Sequence, residues 1–269
     1  MLTNCHTLIL RRLLGHGAEP PPAERDLYLY NIAPDNLPLS GEFSARETHR
    51  FVPPAGALER FPKLVWVKCH LAVDNLCHYG ELAKPAGRAA PSEKRGYAYR
   101  SGAGLIPLLD DFAGEMEADL DAPTALYLGH ILVEIAVDYA IYRDDRSVPL
   151  TLRASQEAMG PAQKREYFDG LAVLYGCSAA QIERTRGAAA RFYGNTHDID
   201  YLFLEGRTKI VLRKLGLPFS AENIGCTKDL IREAADAVSD YTEFIDFSVE
   251  RLSDRDGWAG EEPLESEEP

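Results

Sequence analysis

Two strongly apolar segments each carry metal-competent side chains at a strict spacing of four residues, and this restricts the fold more sharply than anything else in the chain. In Cys69-His70-Leu71-Ala72-Val73-Asp74-Asn75-Leu76-Cys77-His78, the residues His70, Asp74 and His78 stand at i, i+4 and i+8. At about 100° per residue on an α-helix they fall within an arc of roughly 80° on one face. In Gly129-His130-Ile131-Leu132-Val133-Glu134-Ile135-Ala136-Val137-Asp138 the spacing recurs with His130, Glu134 and Asp138, and every intervening residue is apolar. Such segments predict core helices whose polar stripes must find partners, because an unpaired carboxylate or imidazole in a core costs several kcal/mol.

One explanation is a pair of ordinary helix-surface contacts, His70 with Asp74 and His130 with Glu134, each worth only a few tenths of a kcal/mol. The repeat of the pattern on two apolar segments favours metal coordination, which satisfies both stripes at once. His and carboxylate donors at this spacing suit Zn2+, Mn2+ or Fe2+, with zinc the default for a His-rich hydrolytic site. The Glu-x-x-His spacing of di-iron bundles and the His-Glu-x-x-His of zinc proteases are both absent. Cys69 and Cys77 sit one residue off the ligand positions, about 100° round the helix, and read as packing residues.

The remaining pattern is helical too. Helices are predicted over residues 4–14, 61–81, 105–120, 123–142, 161–175, 179–193, 202–215 and 221–252, with few alternating segments and no internal repeat. The fold class is therefore all-α, a single multi-helix domain over residues 1–253 followed by an acidic, disordered tail over 254–269. Pro34 and Pro38 place Asp35 on a loop, and Lys84-Pro85-Ala86-Gly87 opens a long loop running to about residue 104. His16, between two glycines, reads as an exposed loop residue, and His197-Asp198 as a helix N-cap rather than half of a phosphohydrolase dyad.

The formal net charge of −13 disfavours long nucleic acid and anionic bilayers as partners, since both repel an acidic surface at long range. A small anionic substrate stays compatible with it where bound cations reverse the local sign. The five cysteines, Cys5, Cys69, Cys77, Cys177 and Cys226, form no C-x-x-C pair and suggest a reduced, cytoplasmic setting. Arg11 and Arg12 interrupt the apolar run of residues 8–14, unlike a signal peptide, and no stretch reads as a membrane span. Integral membrane association is not expected.

The order of candidate ligands resembles that of the zinc-dependent phospholipase C family and the related single-strand-specific fungal nucleases. The resemblance covers residues 6–142 and rests on His6, Asp35 within Ala33-Pro34-Asp35-Asn36, His49 within Glu47-Thr48-His49-Arg50, His70 with Asp74, His78, and His130 with Glu134. It implies an all-α fold with two or three zinc ions. Asp35, His49, His70 and Asp74 would hold one ion, His78, His130 and Glu134 a second, and His6 with Asp74 a third. Asp35 would orient or deprotonate the attacking water; Asp138, which the family pattern does not require, would join the second ion or accept a hydrogen bond from a ligand His. The family's third ion takes the amino group of an N-terminal Trp, whereas this chain begins Met1-Leu2-Thr3-Asn4, and the His after Asp74 follows at i+4, a shorter spacing than the family's. The implied function is metal-dependent hydrolysis of a small phosphoester or phospholipid-like substrate, as phospholipase C-like enzyme or phosphodiesterase. The alternative is a non-catalytic structural or sensing metal protein with a closed ligand shell. Arg50 or Arg143 could meet a substrate phosphate.

Overall fold

Helix dominates the chain in a computed structural model that describes residues 2–83, 95–194, 204–255, 258–260 and 262–266. The first part runs α1 (Thr3–Leu13), α2 (Asp26–Asn31), α3 (Ala33–Asn36), α4 (Ala45–Thr48), β1 (Arg50–Phe51), α5 (Ala57–Arg60) and α6 (Val65–Tyr79). It continues through α7 (Tyr97–Gly104), α8 (Ile106–Glu115), α9 (Ala122–Asp144), α10 (Ser147–Ala158) and α11 (Pro161–Tyr175). The rest is α12 (Ala179–Gly194), α13 (Gly206–Lys214), α14 (Ala221–Ala237), α15 (Tyr241–Ser253) and β2 (Leu264–Glu265), which pairs antiparallel with β1. The protein is all-α.

The two polar-striped segments form α6 and α9. Asp121 caps α9, its carboxylate accepting the Thr124 N–H at 2.8 Å, and Pro123 sits in the first turn where its missing N–H costs nothing. A helix apolar all round but for one narrow polar stripe belongs in a core, and α9 is flanked by α1, α7, α8, α10, α13 and α14. At 23 residues it is long and apolar enough to cross a bilayer, contrary to the sequence expectation, but 78% of its most apolar window is buried within the fold, as in a core helix. Helix α6 is buried from Trp66 to Tyr79 and ends at Gly80, whose φ of 79° reverses the chain.

Several elements differ from the sequence reading. Residues 97–104 form α7 where a loop was expected; residues 84–94 lie outside those described. Helix α7 is held by backbone contact: a Cβ on Gly102 would meet the Gly129 carbonyl carbon of α9 at 2.6 Å, and one on Gly96 would collide with the Cys77 carbonyl of α6. The expected helix over 221–252 breaks at residues 238–240 into α14 and α15, and α15 packs on α1. Helix α10 was not anticipated; Asp145 accepts the Ser147 N–H at 2.9 Å at its start and pairs with Arg11. Asp35 lies in α3 rather than a loop, because Pro34 occupies the first turn, where proline is tolerated. His16 lies in a loop, as expected, but its side chain is not exposed: it bonds to Tyr28 Oη at 2.9 Å and Glu24 at 2.7 Å. His197 and Asp198 lie outside the described residues.

The C-terminal segment read as a disordered tail contributes to the domain. Trp258 is buried, Leu264 and Glu265 pair with Phe51 and Arg50, and Ser266 is buried. Acidity alone did not reveal this, because the contacts combine backbone groups with a few scattered side chains, those of Trp258, Glu265 and Ser266.

Candidate metal centre

Helix α6 delivers His70 and Asp74 into the interior one turn apart, and two short helices bring Asp35 and His49 to meet them. The Thr48 hydroxyl at the end of α4 donates to the Pro34 carbonyl in α3 at 2.7 Å, joining the chain neighbours of His49 and Asp35. A capping box of Ser44 and Glu47 fixes the start of α4. His49 then lies at its C-terminal end, donating Nδ1–H to the Ala45 carbonyl at 2.9 Å. That bond fixes the ring so that Nε2 faces the cluster.

Four imidazole–carboxylate distances define the centre. His49 Nε2 stands 3.6 Å from Asp35 Oδ1 and 3.6 Å from Asp74 Oδ2; His70 Nε2 stands 3.6 Å from Asp35 Oδ1 and 3.3 Å from Asp74 Oδ2. These exceed normal N–H···O lengths. They approach the spacing of about 3.3–3.4 Å between donors sharing a tetrahedral ion with bonds of about 2.0–2.1 Å. His49 Nε2, Asp35 Oδ2 and both ring nitrogens of His70 are buried without a hydrogen-bond partner. Buried polar groups are normally satisfied, so this cluster lacks a partner that a cation would provide.

His6 enters from α1. Its ring stacks on His70 with centroids 3.7 Å apart and planes 15° from parallel, and its Nε2 lies 3.2 Å from Asp74 Oδ1. Asp74 thus turns one oxygen to His6 and the other to His49 and His70, the disposition of a bridging carboxylate. His6, His70 and Asp74 form one group with ligand atoms within 4.8 Å of one another, and Asp35, His49 and His70 another; either could hold an ion. Burial and the neighbouring His6 push the His70 pKa down to about 4. Burial opposes ionisation of Asp74, but positive charge around it, that of the chain's amino terminus first and then of His70 and His6, outweighs burial and holds its carboxyl well below the usual range.

The second half differs. His78 Nε2 lies 2.8 Å from Glu134 Oε1, a hydrogen-bond distance, and Cys77 completes a third group within 4.8 Å. The sequence reading treated Cys77 as packing alone; the structure places its sulfur beside two candidate ligands. His130 lies next to this group, its ring centroid 5.6 Å from that of His78, stacked on Tyr99 at 4.4 Å and edge-on to Tyr127 at 4.9 Å. Tyr99 comes from α7, the helix read as a loop.

Asp138 stands apart from these groups. It accepts the Asn4 backbone N–H at the start of α1 and lies 3.3 Å from Arg207 Nη2, so it caps a helix and pairs with a cation instead of joining the second ion or a ligand His. Arg50 pairs with Glu265 at 2.8 Å and Arg143 with Asp236 at 2.6 Å, so both candidate phosphate contacts are engaged within the fold. No family model matches the chain, and no curated protein or solved structure matches it.

Proposed function

We propose that the protein is a metal-dependent hydrolase of phosphoric esters, with zinc as its metal and a small phosphodiester or phospholipid-like molecule as substrate. The observation that carries this reading is the buried set of Asp35, His49, His70 and Asp74 at 3.3–3.6 Å, with Asp74 extended to His6 by its other oxygen. The donor set fits divalent zinc: imidazoles and carboxylates, those of Asp35, His49, His70 and Asp74 converging at distances beyond a normal hydrogen bond. A cation held there supplies Lewis-acid polarisation of a phosphoryl oxygen and acidifies water. His49, His70 and Asp74 would hold it; Asp35, with 13% of its side chain exposed against 3% or less for its neighbours, is the member that can meet solvent and accept a proton from the attacking water. The order of ligands shared with zinc-dependent phospholipases C agrees with this assignment.

The near-complete burial of the other members favours a second reading, a closed structural ion with no position for water. Metal analysis of the purified protein and of His49→Ala and His70→Ala, followed by assays on bis(p-nitrophenyl) phosphate, p-nitrophenyl phosphate and micellar phosphatidylcholine, separates the two. The hydrolase reading expects at least one equivalent of zinc, its loss in both variants, and turnover that Asp35→Asn lowers by about 10²–10⁴-fold with zinc retained. Zinc without turnover leaves the structural reading; metal content below one equivalent and unchanged in the variants removes both.

A further inference from the structure

The described C-terminal residues run along α6 and end on the centre. Trp258 packs beside Trp66 with ring centroids 6.3 Å apart, and Lys68 Nζ donates to the Gly260 carbonyl at 2.7 Å. Asn75 Nδ2, in the residue after Asp74, donates to the Glu265 carbonyl at 3.1 Å. Strand β2 pairs with β1, which begins one residue after His49. These contacts fix Ser266, whose N–H donates to the His49 carbonyl at 3.1 Å and whose hydroxyl makes a long hydrogen bond to Asp74 Oδ2 at 3.3 Å.

We propose that Ser266 is a positioning residue of the metal centre, holding Asp74 so that Oδ2 faces His49 and His70 while Oδ1 faces His6. The inference rests on the metal reading above and adds a residue far outside the ligand order, 192 positions from Asp74. A carboxylate that serves two groups of imidazoles must not rotate about its Cβ–Cγ bond. The serine hydroxyl supplies the restraint at Oδ2, the oxygen that does not face His6, and the same residue fixes the backbone of His49, so one segment sets two of the donors. Partners of ligating carboxylates typically change metal affinity by about 10–100-fold when removed.

The test titrates the full chain with zinc against a chromophoric chelator, comparing wild type, Ser266→Ala and Ser266→Thr, and records the visible spectrum of each loaded with Co2+. The expected result is about tenfold weaker zinc binding and an altered cobalt spectrum in Ser266→Ala, both restored by Ser266→Thr, with the zinc-free proteins unfolding at the same temperature. If Ser266→Ala matches wild type in affinity and spectrum, or if threonine restores neither, the inference is overturned and the metal reading stands. If wild type itself binds neither Zn2+ nor Co2+, both fall.

Discussion

Asp74, second in the polar stripe of α6, and Asp138, third in that of α9, are both buried aspartates, yet their surroundings give them different work. Asp74 faces three imidazoles, so its negative charge is matched by groups that can also ligate a cation. Asp138 faces Arg207 and the N-terminal amide of α1, a helix whose own N-cap, Leu2, offers no side-chain acceptor. Burial lifts the Asp138 carboxyl above its usual range despite Arg207 and the amides. Removing this carboxylate strands a largely buried guanidinium and uncaps α1. Asp138→Ala is therefore expected to destabilise the fold by about 3 kcal/mol, read as a lower urea midpoint, with zinc stoichiometry unchanged in the folded protein. A midpoint equal to wild type would remove the structural role assigned here, and loss of zinc from a fully folded variant would return Asp138 to the ligands.

At the scale of elements, α7 is the piece that joins α6 to α9. Gly102 lets its backbone touch that of α9, and an added methyl would sit 2.6 Å from a backbone atom that cannot rotate away. Gly102→Ala should thus cost about 1–3 kcal/mol and displace Tyr99 from the His130 ring, lowering the melting temperature and altering near-ultraviolet tyrosine dichroism. Gly104, two residues on in the same helix, has open space around its Cβ position, so Gly104→Ala should be neutral or slightly stabilising. Equal melting temperatures for the two variants would show that the close contact is absent. Helix α7 was hidden in the sequence because Gly96, Gly102 and Gly104 look like loop residues, whereas two of them serve close packing. The long helices α6, α9 and α11 were legible because their apolar periodicity or capping signals are local. Of the centre, His70 and Asp74 could be read from their shared helix face. Nothing local announces that Thr48 binds Pro34 and so unites His49 with Asp35, and no spacing rule connects Ser266 to Asp74; the place of Asp35 and His49 came only from the resemblance in ligand order.

Across the whole molecule, the candidate centre ties together chain segments that local structure leaves separate: α1 through His6, α3 through Asp35, the end of α4 through His49, α6 through His70 and Asp74, and the C-terminal segment through Ser266. A cation held by His49, His70 and Asp74, from the end of α4 and from α6, in the folded state, and not in the unfolded chain, stabilises the fold by mass action. At free zinc a hundredfold above the dissociation constant the gain is about 2.7 kcal/mol. For a domain of this size that corresponds to about 5–10 °C in melting temperature. Chelator-treated protein is accordingly expected to melt about that much below the zinc-repleted form, with the difference growing with free zinc and vanishing in His70→Ala. The carboxylates would repel one another more strongly once the cation is gone, so the chelated form should also lose protease resistance first where the C-terminal segment crosses α6. Identical melting curves with and without chelator, at zinc levels that saturate any site, would mean that the buried imidazoles and carboxylates satisfy one another without an ion.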